Sequence, residues 1–399
     1  MPLILAWLDS SEHERRRALD VIDLFSQTET VDELGLGTVR DTIADVLSPG
    51  TSTIQTRGRY FFFIAWVYQQ LEKRGARRGA ADMARRHEIA LIEALSQSED
   101  KQGVIGIDSG AKLRRLPSEI YWAGLGRLGF RLFEGSRSAY HRAVDRGFGD
   151  LVRGDANDTG HGSFRGNWHP HLPPPPTDFP SGATLALTHP EAEFFREQIR
   201  FHAQGSLLAF LAEREENVEA IGLPWEHPEV DEMNAELRQW VHDARCYSEA
   251  MSGAQLLYNF LLAEKKQMDS HRAQYSELID AWRDRVDAHR ATLVAWDRRS
   301  FWDRLRLKNA RLPRGVWRFS EDWIALVLDR RPLVSTEDPE ARRLIATRER
   351  DLKGSRARLF SQVHLDLWRG ASSPEPLNYR WWVTRRLVDD IVAGLSSKA

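Results

Sequence analysis

The chain holds a single cysteine, Cys246, in 399 residues. It can form no internal disulfide and no paired-cysteine metal knuckle, so Cys246 reads as a small helix residue. Long apolar runs are also missing. The longest, 60–68, is far short of the roughly 20 residues that a membrane-spanning helix needs, and no membrane partner is expected. The opening MPLILAWLDSSEHERRRAL has no basic residue before its apolar stretch and turns acidic after Leu8. A secretory signal runs the other way, which predicts a cytoplasmic protein.

Catalytic signatures are equally scarce. GVIGIDSGAK ends in Gly-Ala-Lys where a phosphate loop requires Gly-Lys-Ser or Gly-Lys-Thr, so Lys112 lacks its setting. There is no GxSxG elbow, and no GxGxxG follows a strand. Asp351, Leu352 and Lys353 have the acidic-x-lysine spacing of many nucleases, but no carboxylate on a neighbouring strand precedes them, and they read as a surface triplet. No cofactor is expected.

What is present is a globular composition, 42% hydrophobic and 29% charged, in a chain long enough for two or three domains. The net charge of −2 conceals a division: residues 53–150 hold 17 Lys+Arg against 11 Asp+Glu, a balance of +6 that leaves −8 for the remainder. Such asymmetry suits a nucleic-acid partner. The plain alternative is an arginine-rich solvated surface.

Periodicity predicts helices nearly throughout. One begins at Ser11, with Glu14 at capping-box spacing, and ends near Ser26. A second spans Gly37 to Leu47 and stops at Ser48-Pro49-Gly50. The run YFFFIAWVY is apolar on every side and should be the buried central helix of an N-terminal domain. Arg57 and Arg59 stand at its start, where a cation opposes the helix dipole unless it faces an anion. A further helix over about 79–95 makes His87 a core-edge histidine.

From 148 to 182 the pattern dissolves, and Pro173 to Pro176 enforce an extended strap. Beyond it, Thr188, Pro190 and Glu191 form a helix start. Residues 229–266 read as a long helix, with Gly253 a candidate break. Tyr275, Ile279, Trp282, Val286, His289, Leu293 and Trp296 form the seam of a second. Near the C-terminus, Trp382, Leu387 and Ile391 or Val392 are expected to face a core, with Arg380, Arg385 and Arg386 outward. Fourteen tryptophans fall mostly at core spacing and read as bulky filling.

One stretch, KLRRLPSEIYWAGLGRLGFRLFEGS, combines a helix from Pro117 to Leu128, a glycine, a strand-like Phe130–Phe133 and a turn. That is the order of a recognition helix leading into a wing. On this reading Ser118, Glu119 and Tyr121 lie closest to base edges, and Arg57, Arg59, Arg114, Arg115, Arg127 and Arg131 meet phosphates. The alternative is a helical core element with surface arginines. A second constellation, His161, His169 and His171, has residue types that ligate zinc, although neither an HExxH motif nor a nearby cysteine accompanies it.

Several phrases taken together, AWLDSSEHERRRALDVIDLF, DELGLGTVRDTIADVLSPGTSTIQTRGRYFFFIAW, LPSEIYWAGLGRLGFR and WRGASSPEPLNYRWW, resemble a bacterial family known as domain-of-unknown-function family 6361. The resemblance covers nearly the whole chain, and PGTSTIQTR is its most specific part. It implies no activity or catalytic residues; it does imply a component of multi-gene loci that handle DNA, antiviral defence clusters among them. In that segment the helix start could also receive a phosphate, the alternative being a capped helix with Ser52 or Thr53 as N-cap.

The expected fold is mainly α-helical: residues 1–150 as a helical domain with a winged-helix-like element, 151–182 as a proline-rich strap, and 183–399 as a helical bundle. The expected function is a non-enzymatic DNA-binding or scaffolding subunit of a bacterial DNA-processing or defence complex, with other protein subunits as partners. A protein-interaction subunit without DNA contact and a metal-dependent nuclease or hydrolase are the alternatives.

Overall fold

The computed structural model describes residues 32–73, 79–147, 166–214, 218, 220–329, 333–372 and 374–397. The helix expected over 11–26, His161 and the first part of the strap lie outside these residues. What is described is mainly helical, with no strand ladder. In chain order the helices are α1 (Gly37–Leu47), α2 (Tyr60–Lys73), α3 (Ala80–Ser96), α4 (Pro117–Arg127), α5 (Arg137–Arg146), α6 (His189–His202), α7 (Leu207–Arg214) and α8 (Ala235–Lys265). They continue with α9 (Asp269–Ala288), α10 (Arg290–Ala295), α11 (Arg298–Lys308), α12 (Arg314–Asp329), α13 (Pro339–Lys353), α14 (Gln362–Asp366) and α15 (Trp381–Ser396).

The chain divides into two compact units that interleave in sequence: residues 32–42 with His242–Leu377, and the described residues of Ile43–Val241 with 378–397. None of the three boundaries coincides with the expected break at 151–182; two fall within helices, α1 and α8, and the third lies between α14 and α15. The described part of the strap belongs to the second unit, where the Trp66 indole N–H donates to the Pro173 carbonyl at 2.7 Å.

In that second unit α2 is the centre, as its unbroken apolar run requires. Every residue from Tyr60 to Tyr68 is buried. Phe61 and Phe62 lie against Phe130 and Phe195 at ring separations of 4.9–6.1 Å, α3 and α4 pack on α2, and α15 packs on α6 and α7. The expected wing is a single antiparallel bridge, Arg131 with Trp168. It is held by the Leu132 N–H on the Asn167 carbonyl and the His169 N–H on the Phe130 carbonyl, both 2.9 Å.

In the first unit α8 is not broken at Gly253. A Cβ there would stand 2.3 Å from the Trp282 ring, so the glycine admits the indole, whose N–H donates to the Glu249 carbonyl at 2.7 Å. The seam residues Tyr275, Ile279, Trp282, Val286, Leu293 and Trp296 are buried as expected. His289 is half-buried and ends α9, so the seam spans two helices instead of one.

The C-terminal helix keeps part of its expected core face and corrects the rest. Leu387 and Ile391 are buried as expected, but at the helix start Trp381 is 2% exposed and Trp382 is 41% exposed, so Trp381 takes the core position expected of Trp382. Arg380 is buried in the left-handed region at φ 63° and reaches Asp45 at 2.6 Å and the Thr51 carbonyl at 2.9 Å. Arg385 bonds the Ile221 carbonyl at 3.0 Å. The helix begins after Arg380, so the helical period does not set the direction of the Arg380 side chain.

Candidate nucleic-acid interface

The PGTSTIQTR segment folds into a tight lead to α2. Gly50 adopts φ 85°, and a Cβ there would meet Leu128 at 2.8 Å. The Gln55 amide bridges the turn, donating to the Gly50 carbonyl and accepting from the Ser52 N–H, both at 3.2 Å. The Tyr121 hydroxyl accepts the N–H groups of Thr56 and Arg57 at 2.8 and 3.1 Å. Backbone donors at a helix start need such partners when water is excluded.

Sequence reasoning asked for an anion ahead of α2, and the chain supplies its own. The Asp390 carboxylate accepts from the Gly58 N–H at 2.7 Å and from Arg57 Nε at 2.9 Å. Arg57 also reaches Asp100 at 2.6 Å. Arg59 donates to Glu191 and to the Thr184 carbonyl, both at 2.9 Å, while Glu191 also accepts the Thr188 N–H at the start of α6 at 3.0 Å. Burial pushes the Asp390 carboxyl up to about 6, with Arg57 and the Gly58 N–H holding it down against that trend. Arg57 and Arg59 are 8% and 5% exposed. Their guanidinium groups are internal struts, which withdraws them from the expected phosphate contacts.

The first turn of α4 is closed in the same way. Ser118 is fully buried, and its N–H and hydroxyl donate to Glu88 at 2.8 and 2.7 Å. Arg137 reaches the same hydroxyl at 3.1 Å and pairs with Glu119. Burial lifts the Glu88 carboxyl to about 7. Tyr121 is buried beneath the α2 lead, and the Arg131 guanidinium lies over the Trp122 ring at 4.6 Å and bonds the Phe133 carbonyl. A recognition helix presents its N-terminal turn to the groove, whereas this one buries Ser118 and Tyr121 and leaves Glu119 exposed but paired with Arg137. Of the arginines expected to meet phosphates, Arg114, Arg115 and Arg127 remain exposed, and no carboxylate among the described residues pairs with them.

A family model matches residues 3–394. The chain belongs to a family of unknown function, DUF6361. No curated protein and no solved structure matches it.

In this DUF6361 chain the strap histidines do not assemble a metal centre from described residues. His169 and His171 have ring centroids 5.7 Å apart, and His169 Nδ1 accepts the His171 N–H at 3.2 Å. No group of three or more His, Cys, Asp or Glu among the described residues could hold a metal ion. Burial also pushes the Cys246 thiol up to about 12, which leaves it without nucleophilic thiolate at neutral pH. Among the described residues no helix is long and apolar enough to cross a membrane.

Sequence reasoning missed the buried carboxylates that organise this DUF6361 fold. Glu88 interrupts the apolar face formed by Ala84, Leu91 and Leu95, and a charge on such a face signals a buried partner. Counting charge over 53–150 also passed over 304–318, where six Lys or Arg and no acid are gathered.

Proposed function

We propose that the chain is a non-enzymatic nucleic-acid-binding or scaffolding subunit, acting in the cytoplasm as part of a bacterial DNA-processing or defence complex. One observation carries the reading. Arg114, Arg115 and Arg127 stand exposed on and beside α4, while the arginines of the adjoining α2 lead are consumed internally. Exposed arginines without an internal anion are available to phosphate oxygens. Because the first turn of α4 is closed over Glu88, the contact is to the backbone, without base reading by Ser118 or Tyr121. Affinity is then independent of sequence and steeply dependent on salt.

The test is fluorescence anisotropy of the purified chain with labelled duplex DNA across a salt series, beside a variant with Arg114, Arg115 and Arg127 all changed to Ala. The salt slope should fall by about one for each phosphate-binding arginine removed. Absence of binding at low salt, or an unchanged slope in the variant, overturns the reading.

A second reading, a protein-interaction subunit, is favoured by Phe360, Val363 and Leu367, which are 52%, 72% and 68% exposed on and beside α14. Such neighbouring exposed apolar residues mark protein contacts. On that reading Val363→Ser would release a partner protein that DNA fails to displace.

A further inference from the structure

The corner between α11 and α12 is strongly basic. Six Lys or Arg and no acid stand from Arg304 to Arg318. Arg304 turns inward to Asp243. Arg306, Arg311, Arg314 and Arg318 are exposed. Arg306 meets Asp303 at 3.4 Å, with the two side chains 49% and 61% exposed, a solvated pair of little strength. No carboxylate among the described residues pairs with Arg311, Arg314 or Arg318. The next acid along α12, Glu321, is already engaged by Arg298 and the Trp302 indole.

Arg306, Arg314 and Arg318 line an open groove of about 650 Å³ together with Ala310, Leu312 and Trp317. Its volume lies within the range of about 300–1,000 Å³ that ligand sites occupy. Trp317 is 37% exposed, whereas Trp240, Trp282 and Trp323 are at most 1% exposed. It is therefore not part of the core that Val316, Phe319 and Trp323 build from the opposite side of α12. The Arg306 guanidinium lies over its ring at 5.5 Å, where a flat cation occupies the kind of position a nucleobase takes. A base stacking there would release Arg306 toward a phosphate.

We infer that this corner is a single-stranded nucleic-acid site, with Trp317 stacking a base and Arg306, Arg314 and Arg318 holding the adjacent phosphates. The inference rests on the nucleic-acid reading above but uses none of its residues. Single strands fit because their bases are free to stack on an aromatic face, which is worth most where arginines track the backbone. In a duplex the bases are stacked on one another and reach no side-facing indole. An acidic protein segment would meet the arginines but would leave the indole without a partner.

The full-length chain is titrated with labelled oligothymidylate and with a duplex of equal length, with polyglutamate as competitor. Four variants are compared: Trp317→Ala, Trp317→Phe, Arg314→Ala with Arg318→Ala, and the Arg114, Arg115 and Arg127 triple alanine. Trp317→Ala should weaken oligothymidylate about ten-fold or more and leave the duplex unchanged, with Trp317→Phe recovering most of the loss. The Arg314 and Arg318 double variant should reduce the single-strand salt slope by about 1.4, at about 0.7 per phosphate.

Parent-like oligothymidylate binding by both the Trp317→Ala and Arg314/Arg318 variants overturns the site. Polyglutamate binding that is lost equally in Trp317→Ala overturns it in favour of an acidic protein. Loss of duplex binding confined to the triple variant sustains the α4 reading whatever happens at Trp317; loss of single-strand binding confined to the α12 variants sustains this site whatever happens at α4.

Discussion

The starts of α2 and α12 are both crowded with arginine, and they end in opposite states. Ahead of α2, Arg57 and Arg59 meet Asp390, Asp100 and Glu191 and are buried. At α12, Arg311, Arg314 and Arg318 meet no carboxylate among the described residues and are exposed. Both arrangements place cations against the positive end of a helix dipole, which calls for an anion. The first anion is part of the chain; at the second, no described carboxylate supplies one. Composition alone does not distinguish an arginine that builds the protein from one that binds a ligand. The position of the carboxylates does.

Mutation should separate the two starts by stability. Arg57→Ala leaves Asp390 buried without its cation, and breaking a buried pair in this way costs about 3–5 kcal/mol. Urea unfolding should show that loss, and a change below about 1 kcal/mol would mean the pair is not a strut. Asp390→Ala should cost a similar amount. The double change Arg57→Met with Asp390→Leu, which removes both charges, should cost much less than either single change.

A pH series sharpens the same point at α4. The Glu88 carboxyl is raised from 4.5 to about 7 by burial, so the folded state takes up its proton more readily than the unfolded state. Its contribution to stability is fully present below about 4.5 and is lost as pH rises through about 7. Relative to Glu88→Gln, the parent should therefore lose up to about 3 kcal/mol between those pH values. The Tm gap between the two proteins should shift toward the glutamine variant from pH 5 to pH 8. A gap that stays constant with pH would show that Glu88 does not titrate in this window.

Gly50→Ala probes the turn that sets the α2 lead. The left-handed backbone and the contact with Leu128 should together cost about 1–3 kcal/mol, visible as a lower Tm. A neutral substitution would mean that the turn relaxes freely. At the other start, Arg314→Ala with Arg318→Ala should change stability by less than about 0.5 kcal/mol and should alter only ligand binding. Marked destabilisation there would erase the contrast between the two starts.

Much of the helical framework was legible in sequence. The boundaries of α1, the burial of 60–68 and the buried seam through Tyr275, Trp282 and Leu293 follow from periods of three and four residues. Other elements were not read. α11 is half arginine, lysine and aspartate around Phe301, Trp302 and Leu305, too polar for its apolar face to stand out. In α15 the burial of Leu387 and Ile391 was read, but that of Arg380 was not, because it lies outside the helix. For the candidate interface, sequence located the arginines but not their partners, and Glu88, Glu191 and Asp390 were absent from that reading.

The sequence by itself determined where helices form, because apolar spacing, caps and turn residues act over a few neighbours. Only the tertiary structure decided which arginines are internal. Arg57 and Asp390 are 333 positions apart, and Arg59 and Glu191 are 132 apart. Charge interaction falls off with distance in space and is indifferent to separation along the chain, so no local pattern encodes those pairings.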